Sequence, residues 1–301
     1  LLWNPDCDEN RAIDEFLAAV YGAGAKYIRE YIDLLHHTVE RENIHIGIWQ
    51  GPDAEYLTDD ILARADSLWI AAEKATANKP DVCERVRIAR LSVDYAILCR
   101  DRLRGDALCV NQEKYGLEPN PAFIERLSRF SSVAIGAGVS RLKEYNTTVD
   151  EFRAEVEKGL RARTFKLTAP ASCGDNARGM VYRFYEGAWQ KLPEFEKLTP
   201  ARSGAVGRFS LPFIGEGNVF GFTISGYIES PRDGVYTFWV RSNGYSALSV
   251  AGTKIADAGG TDPIRERLGY IALKAGMHPI SLTYFTRERC SLLRVSWRGP
   301  G

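Results

Sequence analysis

Residues 220–241 read FGFTISGYIESPRDGVYTFWVR. Apolar side chains recur at every second position from Phe220 to Ile224, and again from Tyr236 to Val240. Proline, aspartate and glycine between the two runs are typical of a turn. Because a period of two places alternate side chains on opposite faces of a strand, the stretch predicts two β-strands joined by a turn.

The same period of two continues towards the end of the chain. Turn residues separate the runs, as is typical of short strands that each bury one face. The second half is therefore predicted to be an antiparallel β-sandwich. The further alternating runs are Ile280, Leu282 and Tyr284, followed by Leu293, Val295 and Trp297.

The first half has a helical period instead. Apolar residues recur three and four positions apart, which predicts a bundle of about six helices. Pro80 suits the first position of a long helix that is apolar on two sides and is therefore predicted to be central. Thr148 and Glu151 have the spacing of a capping box at the start of the last helix.

The fold class predicted from these two periods is an all-α bundle followed by an antiparallel β-sandwich. The helical domain is predicted to span residues 1–163, and the sandwich residues 179–301. Residues 164–178 follow neither period and contain turn formers such as Pro170 and Gly174, so they are predicted to be a linker.

The composition argues against two classes of partner. The 301 residues include 39 basic and 39 acidic side chains, a balance that favours neither nucleic acid nor an anionic membrane. No apolar stretch reaches the roughly 18 residues that a transmembrane helix requires. We therefore expect neither a nucleic-acid partner nor a membrane span.

No complete catalytic or metal site is visible in the sequence. The six cysteines form no C-x-x-C pair and are interpreted as buried thiols. The histidines of the first half have no acidic or cysteine partner at ligand spacing and are interpreted as structural. Prominent acids lie at helix starts and on polar faces, where capping and solvation explain them. These side chains are His36, His37 and His45, and Asp59, Asp60, Glu151 and Glu155.

Several motifs of the second half occur in the order of one known family. They are YEGAW at 185–189, FTISGYI at 222–228, PRDGVYTF at 231–238, GYIALKAGMHPI at 269–280, YF at 284–285 and WRGPG at 297–301. With these motifs, residues 180–301 resemble the protective-antigen-type (PA-fourteen) domain. The resemblance implies a β-sandwich of the kind appended to glycosidases, glycosyltransferases and adhesins, with a glycan as its partner.

One loop departs from the pattern of the family's sugar-binding members. Those members hold calcium with two adjacent aspartates, whereas residues 242–246 here read SNGYS. Ca²⁺ prefers about six to eight oxygens, including charged carboxylates. Asn243 and Gly244 offer no carboxylate, which leaves Asp257 as the acid of the neighbouring loop. No cofactor is expected, and calcium is disfavoured.

Four residues are the candidate ligand-binding residues of the sandwich: Trp239, Asn243, Tyr245 and Asp257. The last three belong to the altered loop and its neighbour. Trp239 lies between two inward-pointing residues, so its indole is predicted to point outward. The ring then either stacks on the apolar face of a sugar or packs against the helical half, and the second interpretation is favoured. Tyr245 has the same two interpretations.

Motifs of the first half point to a second family. They are WNPD at 3–6, DEFL at 14–17, YG at 21–22, YIDLLH at 31–36 and LT at 57–58. With them, the first half resembles the helical region that follows the catalytic barrel in glycoside-hydrolase-like bacterial proteins related to α-glucuronidases. The resemblance implies a (β/α)₈ barrel upstream of Leu1, with Leu1–Trp3 as the tail of its last strand, and a periplasmic or extracellular location. The catalytic carboxylates would then lie on barrel loops outside this chain.

The sequence thus predicts the non-catalytic C-terminal region of a polysaccharide-processing protein. The helices would buttress the barrel, and the sandwich would bind carbohydrate or act as a spacer. The alternative is an interaction module that packs domains together or mediates self-association without binding sugar. A free-standing lectin is disfavoured by the missing aspartates.

Overall fold

The computed structural model describes residues 8–47, 50–52, 54–142, 147–172, 179–207, 209, 219–258, 265–287 and 292–300. The expected strand tail at Leu1–Trp3 lies outside these ranges. The chain divides into two compact units, one of Leu1–Arg102 with Pro119–Leu160 and one of Leu103–Glu118 with Arg161–Gly301. Residues 103–118 thus belong by their contacts to the second unit, although they precede the predicted linker.

Helices make up most of the first unit. Thr58 and Asn120 each accept a hydrogen bond from a backbone N–H in the first turn of the helix that follows, and Thr148 and Glu151 form the predicted capping box. The helices are α1 (Glu9–Tyr21), α2 (Ala25–Arg41), α3 (Asp59–Thr76), α4 (Pro80–Arg104), α5 (Pro121–Gly136) and α6 (Val149–Gly159).

The helical core combines apolar packing with buried charge. Leu17 of α1, Ile28 of α2, Trp69 of α3 and Val86 of α4 share one buried cluster. The helix α4 also buries Arg90, which is only 2% exposed, together with Asp94. The apolar stripes of the sequence predicted the central position of this helix but not its buried charges.

An arginine–carboxylate network joins α3, α4 and α5, and it consists of Asp66, Glu73, Arg90, Asp94, Arg126 and Arg129. Arg90 donates to Asp66 at 2.5 Å and to Glu73 at 2.6 Å. Arg126 donates to Asp66 and Asp94, each at 2.7 Å, and Arg129 donates to Asp94 at 2.7 Å. Every carboxylate in the network therefore faces at least one guanidinium group.

The network lowers the pKa of Asp66. Burial by itself would raise this pKa, but the hydrogen bond from Arg126 and the positive charges of Arg126 and Arg90 outweigh burial. Because the pKa is lower in the folded chain than in the unfolded one, Asp66 contributes stability at neutral pH. That contribution is lost as the pH falls from the unfolded pKa through the folded one.

Strands make up most of the second unit. They are β1 (Leu108–Asn111), β2 (Gly116–Pro119), β3 (Arg163–Thr164), β4 (Met180–Glu186), β5 (Arg202–Val206), β6 (Phe220–Ser230), β7 (Gly234–Ser242), β8 (Tyr245–Val250), β9 (Thr253–Asp257), β10 (Arg265–Leu273), β11 (Gly276–Thr286) and β12 (Leu293–Arg298). The described strands form a six-stranded sheet in the order β5-β4-β6-β11-β8-β9, a three-stranded sheet in the order β10-β7-β12, and the small sheet β1-β2-β3.

The six-stranded and three-stranded sheets enclose one core. Phe222 of β6, Phe238 of β7 and Leu282 of β11 are fully buried in the same cluster. The paired strands of both sheets run antiparallel. The predicted fold class, a helical region followed by an antiparallel β-sandwich, is confirmed. The opening stretch 220–241 contributes one strand to each sheet, with the turn crossing between them.

Candidate functional site on the β-sandwich

The six-stranded sheet has an outer face that points away from the core. In β6, Phe222 and Ile224 are buried while Thr223 and Ser225, which alternate with them, are partly exposed. The pairing register carries this alternation across the sheet. Ser225 lies opposite Ser281 of β11, and Ser281 lies opposite Ser249 of β8. These residues form a row of hydroxyl groups across the strands, here called the serine row.

The structure brings two of the four candidate residues, Tyr245 and Asp257, together at a border of this outer face. The Tyr245 ring is half-buried and packs against an aromatic cluster that includes Phe285 and Trp189. Burial, followed by the negative charge of Asp257, raises the pKa of Tyr245. Asp257 itself accepts from the ammonium of Lys254 at 2.7 Å. The border therefore presents an aromatic ring beside an exposed carboxylate–ammonium pair.

The third candidate, Asn243, is buried in the turn between β7 and β8. Its Oδ1 accepts from the backbone N–H of Leu292 at 2.7 Å and from the hydroxyl of Tyr284 at 3.2 Å. The backbone N–H of Asn243 donates to the backbone carbonyl of Leu292. Two donors therefore occupy the amide oxygen that stands where the family's sugar-binding members have a calcium-binding aspartate.

Gly244 is enclosed by the sheet beside it. A Cβ atom at this position would lie 2.5 Å from the carbonyl oxygen of Phe285 and 3.1 Å from the ring of Tyr284. Real Cβ contacts do not reach 2.5 Å, and a backbone carbonyl cannot move aside cheaply. The turn thus has no room for the second aspartate without a shift of the backbone.

The fourth candidate, Trp239, lies on the outer face of the three-stranded sheet, so the structure does not bring it together with Tyr245. Its indole N–H donates to the carbonyl of Arg104 at 3.0 Å. The guanidinium of Arg298 lies over the ring, 5.5 Å from its centre. The indole is half-buried, and both its polar edge and its face already have partners from the same unit.

Sequence reasoning missed the residue that holds the segment 103–118 to this sheet. The side-chain amide of Gln112 accepts from the backbone N–H of Val235 at 2.7 Å and donates to the carbonyl of Val235 at 3.1 Å. One side chain thereby supplies both hydrogen bonds that a neighbouring strand would supply. Gln112 lies in a short polar stretch without periodicity, so no sequence signal marked it.

Two acids of the helical region, which the sequence placed at a helix start and on a polar face, have arginine partners. Asp59 and Glu155 form ion pairs with Arg100 and Arg102. No group of three or more His, Cys, Asp or Glu within the described ranges is arranged to hold a metal ion. Of the cysteines in those ranges, Cys83 is buried as interpreted, whereas Cys99 is half-buried and Cys109 is exposed. Cys7, Cys173 and Cys290 lie outside the described residues.

None of the described helices combines the length and the apolar character needed to cross a membrane.

Calcium is not expected to change the thermal stability of the chain. A ligand stabilises a protein only by binding its native state, by about 2.7 kcal/mol at a hundred times its dissociation constant. With Asn243 occupied and Gly244 enclosed, the turn offers no such site. Differential scanning fluorimetry in millimolar CaCl₂ and in chelator should give the same melting temperature. A rise of several degrees that the chelator reverses would show that other oxygens bind the ion.

Comparison with known proteins identifies the second half. The PA14 domain model matches residues 179–301, in agreement with the resemblance noted from the motifs. No curated protein gives a significant match to the chain.

Several solved structures match parts of this chain. The A domain of epithelial adhesin 9 from Candida glabrata, in complex with Galβ1-3GlcNAc, is 16% identical with a TM-score of 0.37 over 45% of this chain and 89% of that one. The PA14 sugar-binding domain from an RTX adhesin is 24% identical with a TM-score of 0.25 over 27% and 46%. The GH31 α-xylosidase from Xanthomonas citri is 15% identical with a TM-score of 0.31 over 40% and 13%. This chain spans about half the length of several matched structures. Residues 179–301 are a PA14 domain that follows a helical region.

Proposed function

We propose that this chain is a non-catalytic, glycan-binding region of a polysaccharide-processing protein, in which the PA14 domain holds the glycan. One observation carries the proposal. On the outer face of the six-stranded sheet, the half-buried ring of Tyr245 lies beside the exposed pair of Asp257 and Lys254.

This arrangement suits the chemistry of a sugar. A pyranose has an apolar face of C–H groups, which an aromatic ring covers, and a rim of hydroxyls, which both donate and accept hydrogen bonds. Asp257 accepts hydrogen bonds and Lys254 donates them, 2.7 Å apart. The aromatic cluster behind Tyr245 limits the motion of its ring, so little side-chain freedom is lost on binding.

The other two candidate residues have supporting roles in the proposal. Asn243 fixes the turn that leads into β8 through its bonds to Leu292 and Tyr284. Trp239 stabilises the opposite face of the sandwich, because its indole N–H is bonded to Arg104. We therefore assign direct contact with the glycan to Tyr245 and Asp257.

The acids of the helical region support a non-catalytic role. Glycosidases generally need two carboxyl groups that flank the scissile bond. Glu151 caps α6, and Asp59 and Glu155 are paired with arginines. The proposal therefore places any hydrolysis in an upstream barrel and gives the helices a buttressing role, as the resemblance of the first half implies. The same resemblance carries the proposed periplasmic or extracellular location.

A second candidate function is structural, with the sandwich acting as a packing module. The observation that favours it is that the three-stranded sheet binds residues 103–118 through hydrogen bonds. Gln112 is bonded to the backbone of Val235, and the indole of Trp239 donates to the carbonyl of Arg104. A packing module would bind no sugar, so the two functions are separated by one binding measurement.

Substitution of Tyr245 tests the proposed function. Screening the full chain on an array of oligosaccharides and titrating the best ligand should show weak, calcium-independent binding. Removing the ring loses a stacking contact of about 1–2 kcal/mol, so Tyr245→Ala should weaken the affinity about tenfold. Tyr245→Phe keeps the ring and is the matched control, with affinity close to that of the native chain. Unchanged affinity in Tyr245→Ala would place the sugar elsewhere on the chain, and no binding across the array would favour the packing module.

A further inference from the structure

A groove crosses the outer face of the six-stranded sheet, and its lining meets β8 at Ser249, four residues along the strand from Tyr245. Its volume is about 600 Å³, and its lining includes Val181, Ser225, Ser249 and Ser281. These four residues come from four neighbouring strands and are cross-strand partners: Val181 lies opposite Ser225, Ser225 opposite Ser281, and Ser281 opposite Ser249. The groove therefore follows the serine row across the strands.

From this groove we infer that the PA14 domain binds an internal stretch of a linear, uncharged polysaccharide, laid along the serine row. The inference rests on the proposed function and names the ligand class and the binding mode. It differs from recognition of a single sugar by a loop, because the contact surface is the sheet itself.

The length of the row suits a chain. It continues from Ser249 to Lys254 of β9 at one end and from Val181 to Ala205 of β5 at the other. Six strands spaced about 4.8 Å apart give a row about 24 Å long, comparable to a short oligosaccharide and much longer than a single ring.

The chemistry of the row suits uncharged hydroxyl-bearing units. No hydrogen bond joins the side chains of Ser225, Ser249 or Ser281 to another side chain or backbone group of the described residues. Each of these hydroxyls is thus available both to donate and to accept, as sugar hydroxyls require. Lys254, at the end of the row, forms an ion pair with Asp257. Because this pair neutralises the positive charge, the row favours an uncharged ligand over an anionic one.

Apolar side chains border the middle of the row. Tyr227 of β6 lies opposite Pro279 of β11, and both line the groove. They are two residues along their strands from Ser225 and Ser281, and therefore on the same face of the sheet. Val181 is an unusually exposed valine, at 47%. These side chains give the C–H faces of successive sugar rings apolar partners, while the serines meet their hydroxyls.

The inference is tested by chain length and by obstruction of the groove. The full chain is titrated with cellohexaose, xylohexaose and maltohexaose and with the matching disaccharides. We expect at least one hexasaccharide to bind at least tenfold more tightly than its disaccharide. Ser281→Gln, which places a larger side chain at the centre of the row, should remove this gain.

The matched control is Ser296→Gln, an exposed serine in β12 of the other sheet. It should bind like the native chain, and circular dichroism should show both variants folded. Two results would overturn binding along the groove and leave a Tyr245-dependent site in place. One is equal affinity for hexasaccharide and disaccharide, and the other is a hexasaccharide affinity that Ser281→Gln does not change. Loss of binding in Ser296→Gln alone would move the site to the three-stranded sheet. No binding by any of the three hexasaccharides would overturn this inference, whereas the proposed function fails only if the array also shows no binding.

Discussion

Replacing Asp94 by alanine is expected to destabilise the helical unit by about 3–5 kcal/mol, the usual cost of removing one partner from a buried ion pair. Asp94 is 3% exposed and accepts from Arg126 and Arg129, each at 2.7 Å. Without it, these guanidinium groups would lose a shared acceptor in a site that water reaches poorly. Chemical denaturation followed by far-UV circular dichroism measures the loss.

An exposed pair provides the control. Glu157 accepts from Arg153 at 2.7 Å on the surface of α6, where both side chains are about half exposed. Glu157→Ala should cost no more than about 0.5 kcal/mol, because solvent screens such pairs. A similar small loss in Asp94→Ala would mean that the network contributes little and that its arginines find other partners or water.

Replacing Gln112 by alanine is expected to cost about 2–4 kcal/mol. Its side chain satisfies both the N–H and the carbonyl of Val235, which is 1% exposed. Each buried backbone group left without a partner costs about 1–3 kcal/mol. The same denaturation experiment measures the loss, with tryptophan fluorescence following Trp189, Trp239 and Trp297 of the sandwich together with Trp69 of the helices.

Gln190 serves as the matched control, because it is exposed. Gln190→Ala should change the stability by less than about 0.5 kcal/mol. If Gln112→Ala were equally mild, water would have to replace the amide at Val235, and the hold on residues 103–118 would be weak.

The periods of the sequence predicted the two classes of structure because burial imposes them directly. Every second residue from Phe220 to Ile224 is buried, as an open sheet over one core requires. The period does not reveal which strands pair. The strands on either side of the turn at 231–233 lie in different sheets, and only the assembled register shows that.

The site was predictable in its residue types and not in its arrangement. The missing aspartates were visible in the sequence. The hydrogen bond that occupies the amide oxygen of Asn243 was not, because its donor, Leu292, is far away in the chain. The pairing of Arg90 with Asp66 and Glu73 also joins residues that are distant in the chain. In addition, charged residues on a helix normally indicate a solvated face, so the burial of this group was not expected. The serine row joins residues from separate strands and appears only once the register is known.

The most direct test of the central claim is to locate the glycan on the chain. Amide hydrogen exchange is measured on the full chain alone and with a saturating amount of the oligosaccharide that binds best. We predict slower exchange in peptides from β6, β8 and β11, around Ser225, Tyr245 and Ser281, and unchanged exchange in α1–α6. Protection confined to β7 and β12 around Trp239, or confined to the helices, would contradict the account.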